Sequence, residues 1–145
     1  GSRETGVRRN GTNLEPNTET DTPADLDALV GFALTRLCPP AVRERVDTNM
    51  RRFTEPAVSG SGSAASAYAD LLERRIDFGF YWRTEPWDHV AGAFLLELAG
   101  GRCSRLDGEP YEPGSHNSGL LVTGRRSLWA PVRDAIYPTA GPLFE

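Results

Sequence analysis

Between residues 76 and 98 the hydrophobic period of this chain changes once, from two to about 3.6, and that switch restricts the fold more than any other feature. Ile76, Phe78, Phe80 and Trp82 alternate with Asp77, Gly79 and Tyr81, which predicts a strand with one heavily apolar face. Beyond Pro86, the residues Trp87, Val90, Ala91, Phe94, Leu95 and Leu98 recur at helical spacing, and Gly100-Gly101 supplies the residues that close helices. A strand running through a short turn into a helix is a building block of layered α/β folds.

The rest of the chain reads compatibly. Asn10-Gly11 predicts a hairpin turn within 3–14. Glu15, Glu19, Asp21, Asp25 and Asp27 meet no Arg and are interrupted by Pro16 and Pro23, which marks a solvated connector. The apolar run 28–34 suits a strand buried on both faces, although periodicity alone also allows a helix segment. Pro40, followed by Val42, Val46 and Met50, predicts a helix over 40–50. A strand over 53–58, weakened by Pro56, leads into the Gly/Ser loop 59–63. That loop opens a helix with Ala64, Ala65, Tyr68, Leu71 and Leu72 on one face and Ser61 or Ser63 as its cap. Strands at 103–106 and 119–123, a turn at Asp107-Gly108 and a last helix over 127–136 complete an α/β layered sandwich, a sheet flanked by helices. With 145 residues there is room for one domain.

Charge and cysteine content exclude several classes. All sixteen basic residues are Arg, scattered among twenty acidic ones for a net charge of -4, so no basic footprint for nucleic acid exists. No apolar run approaches the length of a membrane span, and 1–13 has no signal-peptide core. Cys38 and Cys103 form no metal or redox spacing and read as buried thiols of a reduced, cytoplasmic protein. The chain begins Gly1-Ser2 rather than with Met, consistent with a piece of a longer reading frame.

Familiar catalytic constellations are mostly missing. Without Lys there is no Walker-type phosphate loop, and His89 and His116 with two distant cysteines do not make a zinc site. Ser59 stands where a nucleophile elbow would need Gly. Residues 60–65 fit the permissive Gly-x-Gly-x-x-Ala pattern, which equally describes an ordinary helix start. Asp88 is more informative because it opens a helix directly after a strand. It reads either as a helix cap or as a ligand for a hard cation such as Mg²⁺, which carboxylates and substrate oxygens hold together. Gly62-Ser63-Ala64 begins a second helix, whose free amides favour anions.

Gly62-Ser63-Ala64-Ala65, Asp77, Pro86-Trp87-Asp88-His89-Val90-Ala91-Gly92 and Glu97-Leu98-Ala99-Gly100-Gly101 together resemble the C-terminal half of the inositol monophosphatase family. Members are Mg²⁺-dependent, lithium-sensitive phosphatases. The likeness is strongest over 53–123, and 7–14 is similar to the hairpin that ends the family's first half. It implies a boundary near residue 27, with a partial first-half hairpin and acidic loop at 1–27 and the C-terminal α/β domain at 28–145. It also implies that Asp88 binds Mg²⁺ and that Ser63 and Ala64 line a substrate pocket through the backbone. Tyr81 stands where inositol-hydrolysing members carry a Glu that holds substrate hydroxyls, so inositol phosphate itself is disfavoured, with the nearby Glu85 as a substitute acid. The family's first-half Asp-Pro-x-Asp-Gly-Thr segment is not in these residues, and no catalytic residue is assignable.

The expected parent is therefore a hydrolase of phosphate monoesters of a small polyol, sugar or related metabolite, working through metal-activated water, with this chain inactive alone. Its partners would be a small phosphorylated metabolite and, among the assemblies open to it, a homodimer, with neither nucleic acid nor membrane. The alternative is a non-catalytic truncated or degenerate member acting as a binding or dimerisation module.

Overall fold

The computed structural model describes residues 1–17, 25–55, 63–114 and 119–138. Glu19, Asp21, Pro23, Gly62, His116 and the Gly/Ser stretch 59–62 lie outside the described residues, as do 56–58 of the expected strand.

Two short strands, β1 (Val7–Arg9) and β2 (Thr12–Leu14), pair antiparallel as a hairpin. Asn10 (φ 48°) and Gly11 (φ 84°) both take the left-handed conformation that a two-residue type I′ turn requires. The main sheet contains β3 (Gly31–Leu34), β4 (Phe78–Tyr81), β5 (Arg102–Arg105) and β6 (Leu120–Thr123) in the spatial order β3-β4-β6-β5. β3 runs parallel to β4, whereas β6 is antiparallel to both of its neighbours. Of the strand expected over 53–58, the described part contributes one parallel bridge, Thr54 to Val30.

Side-chain alternation sends each central strand into two cores. Phe78 and Phe80 of β4 and Leu121 of β6 point towards the face covered by α1 (Pro40–Met50) and α4 (Trp129–Ile136). Tyr81 of β4 and Leu120 and Val122 of β6 point to the opposite face, covered by α2 (Ala64–Leu72) and α3 (Pro86–Leu98). The result is an α/β/α sandwich. The hairpin lies outside the α2/α3 layer: Val7 is buried, Gly1 abuts Leu95 of α3, and Arg9 pairs with Glu73, just past α2, at 2.8 Å.

Three expectations need correction. Ile76 precedes β4 and joins the α2/α3 core, so the alternating face consists of Phe78 and Phe80 with Trp82 packed against them, and it is buried. β3 is buried on both faces only at Gly31; Leu34 is exposed because β3 is the outer strand among the described residues, and a turn over Leu26–Ala28 takes up the start of the apolar run. In α3 the buried residues are His89, Ala93 and Leu96, while Trp87, Val90 and Phe94 of the expected core stripe face outwards. This helix is apolar on both sides, and its period could not say which side meets the sheet.

Candidate active site

Parallel strands place loops and helix starts at their carboxyl edge, where open α/β sheets take ligands. α3 follows β4 and therefore starts at that edge. Its first residue is Pro86, whose fixed φ suits the position, and Glu85 precedes it in an extended conformation without a side-chain cap. Asp88 is thus the third residue of the helix and not its cap. Its amide donates to the Glu85 carbonyl at 3.0 Å. Its carboxylate is exposed and makes no hydrogen bond or ion pair with a described residue.

α2 precedes β4 and runs antiparallel to it, so α2 also begins at the carboxyl edge. The last turns confirm the direction: the Leu71 carbonyl lies against Gly124 beyond β6, and Gly101, after α3, abuts the Thr123 carbonyl. Ser63 occupies the cap position with extended dihedrals (φ -112°), yet its hydroxyl makes no capping bond. Ala64 opens the helix and is half-buried against the α2/α3 core. The two helix starts face the same edge, and one buried hydrogen bond ties them together, between Tyr68 Oη and His89 Nδ1 at 3.1 Å.

Around that bond is an aromatic cluster that sequence reasoning missed. The Tyr81 ring meets His89 edge-on at 4.6 Å and stacks on Tyr68 at 6.4 Å, and Tyr111 lies 6.3 Å from His89. The Tyr81 and Tyr111 hydroxyls are buried without a hydrogen-bond partner among the described residues. Burial, then Cys103 and Asp88, pushes the Tyr81 phenol well above its ordinary pKa, so it remains a neutral donor. Burial is also the largest influence on His89, whose pKa is lowered. A histidine near a helix start and scattered tyrosines carried no spacing that would announce this cluster.

A cleft of about 520 Å³ opens at the carboxyl ends of β3 and β4, lined by residues 33–37 and 81–83. Its cations, Arg36 and Arg83, lie on the loops that follow the two strands. Glu85 pairs with the exposed Arg83 at 3.0 Å and keeps acceptor capacity beyond that pair. Among the described residues no three His, Cys, Asp or Glu side chains gather as a metal site. Asp88 alone could offer a divalent cation one oxygen ligand at this edge, and a complete site would need further ligands beyond the described residues.

A family model described as the inositol monophosphatase family matches residues 2–135. The chain belongs to that family. It is 31% identical over 109 residues to an inositol-1-monophosphatase of Bacillus subtilis (strain 168), a match covering 73% of this chain and 39% of that protein. It is 32% identical over 74 residues to a fructose-1,6-bisphosphatase/inositol-1-monophosphatase of Thermotoga maritima, covering 51% of this chain and 27% of that protein. Among solved structures, inositol monophosphatase II of Staphylococcus aureus MSSA476 superposes with a TM-score of 0.73 at 23% identity, over 92% of this chain and 48% of that one. An inositol monophosphatase from Anabaena gives 0.71 at 24% identity, over 94% and 52%. The sandwich is therefore a fold of this family, and the chain spans about half the length of those solved relatives and less of the two sequence relatives.

No helix among the described residues is long and apolar enough to cross a membrane.

Proposed function

We propose that this chain is the C-terminal part of a Mg²⁺-dependent phosphatase that hydrolyses phosphate monoesters of a small polyol, sugar or related metabolite in the cytoplasm. Residues 28–145 would form its C-terminal α/β domain, and residues 1–27 a remnant of the preceding half. One observation carries the reading: in a member of this family, an exposed carboxylate with no partner among the described residues, Asp88, stands at the same sheet edge as the uncapped start of α2. Asp88 would hold Mg²⁺, and the backbone at Ser63 and Ala64 would face the substrate phosphate, for which helix-start amides are suited. The metal, when bound, would polarise the phosphoryl group and make water a better nucleophile.

At Tyr81, where inositol-hydrolysing members carry an acid, this chain has a neutral phenol whose hydroxyl is buried; a substrate role for it would require that hydroxyl to be uncovered, and the absence of a charge there favours other polyol or sugar phosphates. The second reading, a non-catalytic binding or dimerisation module, draws on the lack of a metal-ligating cluster among the described residues. Assay of the chain alone on a generic phosphate ester with Mg²⁺ is expected to show no turnover. In a longer protein containing this chain and the family's acidic first-half segment, turnover is expected and Asp88→Asn should abolish it. Hydrolysis by the 145-residue chain, lost in Asp88→Asn, would contradict the incomplete site; a longer protein indifferent to Asp88→Asn would end the phosphatase reading.

A further inference from the structure

Three arginines that are far apart in the sequence meet on the side of the sheet away from the hairpin. Arg102 begins β5, Arg126 begins the turn that leads into α4, and Arg133 belongs to α4 itself. Cys103 joins the α2/α3 core, so strand alternation turns its neighbours Arg102 and Ser104 towards α4. There the Arg102 guanidinium lies 4.1 Å from the centre of the buried Trp129 ring, and that of Arg133 lies 5.6 Å from the same ring. The Arg126 amide donates to the Gly100 carbonyl at 3.0 Å, which fixes Arg126 beside the start of β5.

These guanidiniums are held in place without being neutralised. Arg102 Nε donates to Ser104 Oγ at 3.0 Å and its Nη2 to the Gly108 carbonyl at 3.2 Å, while Arg133 Nη1 reaches the Leu106 carbonyl at 3.5 Å. All three acceptors are uncharged. Among the described residues, the carboxylate in ion-pair contact with this trio is Asp134, 2.7 Å from Arg133 and itself mostly exposed. Burial, then the charges of Arg126 and Arg133, lowers the pKa of Arg102 against the pull of Glu97, as an excess of positive charge requires. Arg102 and Arg126 are left to be balanced by a ligand, and two guanidinium forks match the oxygens and double charge of a phosphate group.

The cluster is separate from the candidate active site. Arg102 is in register with Thr123 of β6, and Thr123 with Phe78 at the start of β4, whereas Asp88 follows the end of β4. The two sites are therefore at opposite edges of the sheet, and the hairpin lies on the other face from the arginines.

We propose that Arg102, Arg126 and Arg133, gathered around Trp129, bind a phosphate group, free or as a monoester, at a site remote from the candidate active site. The inference goes beyond the phosphatase reading and does not depend on it. The Trp129 indole N–H donates to the Leu121 carbonyl at 3.1 Å and gives a nuclear magnetic resonance signal beneath the site. The chain has two further tryptophans, Trp82 and Trp87, whose signals are assigned with Trp82→Phe and Trp87→Phe. Sodium phosphate added to the 145-residue chain at pH 8, with chloride keeping the ionic strength constant, should shift the Trp129 signal saturably, with half-saturation on the order of 1 mM. Glycerol 3-phosphate as a second arm distinguishes the sources: the tighter of the two identifies a free ion or a monoester as the ligand.

Arg126→Gln should weaken the titration by at least about tenfold, the loss of one charge-assisted contact. Arg126 is exposed, so the circular dichroism of this variant should match that of the parent chain. Arg51→Gln, an equal change of net charge at the end of α1, should leave the half-saturation unchanged. A Trp129 signal that responds no more to phosphate than to chloride, or a loss as large in Arg51→Gln as in Arg126→Gln, would overturn the proposal. Either failure leaves the Asp88→Asn test of the phosphatase reading intact.

Discussion

Cys38 and Cys103 are both free and buried, and burial makes them poor nucleophiles. The Cys38 thiol is pushed up to about 11, against the opposing charge of Arg43, and that of Cys103, which lies 3.9 Å from the Ala93 carbonyl, is raised by burial and then by Glu97. Neither is expected to react with a disulfide reagent at pH 8 in the native chain, and both should react in urea. His89 gives a sharper test. Its Nδ1 shares a buried hydrogen bond with Tyr68 Oη, so Tyr68→Phe leaves a buried ring nitrogen without that partner at a cost of about 1–3 kcal/mol, measurable as a shift in urea midpoint. Burial holds its pKa below the ordinary 6.5, against the pull of Asp88, so the unfolded chain binds a proton that the folded chain resists. This contribution is full above about pH 6.5 and is lost as pH falls towards the lowered folded value. Thermal midpoints should drop between pH 7.5 and 5.5, and drop less in His89→Gln, each variant compared with its own value at pH 7.5.

Among the elements, the pairing of α2 with α3 depends on Gly92. A methyl group there would overlap the Tyr68 ring, which is held on its other sides by Tyr81 and His89. Gly92→Ala is therefore expected to destabilise the chain by about 1–3 kcal/mol, despite the better helix propensity of Ala, because the core offers no room to shift. A urea midpoint equal to that of the parent chain would show that the two helices are less tightly apposed. Gly100 serves a different need, ending α3 at φ 88° where its α-carbon faces the Asn17 carbonyl. The doubled glycine announced that ending in the sequence, but the role of Gly92 appears only when α2 lies alongside.

For the whole molecule, β4 and β6 unite two cores that share no helix. Phe78 and Leu121 serve one side while Tyr81 and Val122 serve the other, so neither core survives loss of the central strands. Unfolding is expected to be a single transition, with far-ultraviolet and near-ultraviolet circular dichroism melting together. Two separate transitions would show that the α1/α4 and α2/α3 layers unfold independently. Phe78→Ala, in a position with no solvent exposure, should cost about 3–5 kcal/mol and lower both signals alike.

Local sequence determined the parts whose causes are local. Asn10-Gly11 can hardly avoid its turn, Pro40 and Pro86 each start a helix where a proline ring fits, and the alternation around Phe78 and Phe80 allows little but a strand. Asp88 was legible too, since its place after a strand and Pro86 follows from neighbouring residues. Tertiary structure decided everything that depends on which surfaces meet. Inserting β6 between β4 and β5 is a long-range choice that no period encodes. The burial of Tyr81 and His89 around one hydrogen bond needed α2 and α3 side by side. The reversal of α3 has the same origin: a helical stripe states that one side is apolar, but when both sides are, only packing against the sheet selects Ala93 and Leu96 for the core and leaves Trp87, Val90 and Phe94 outside.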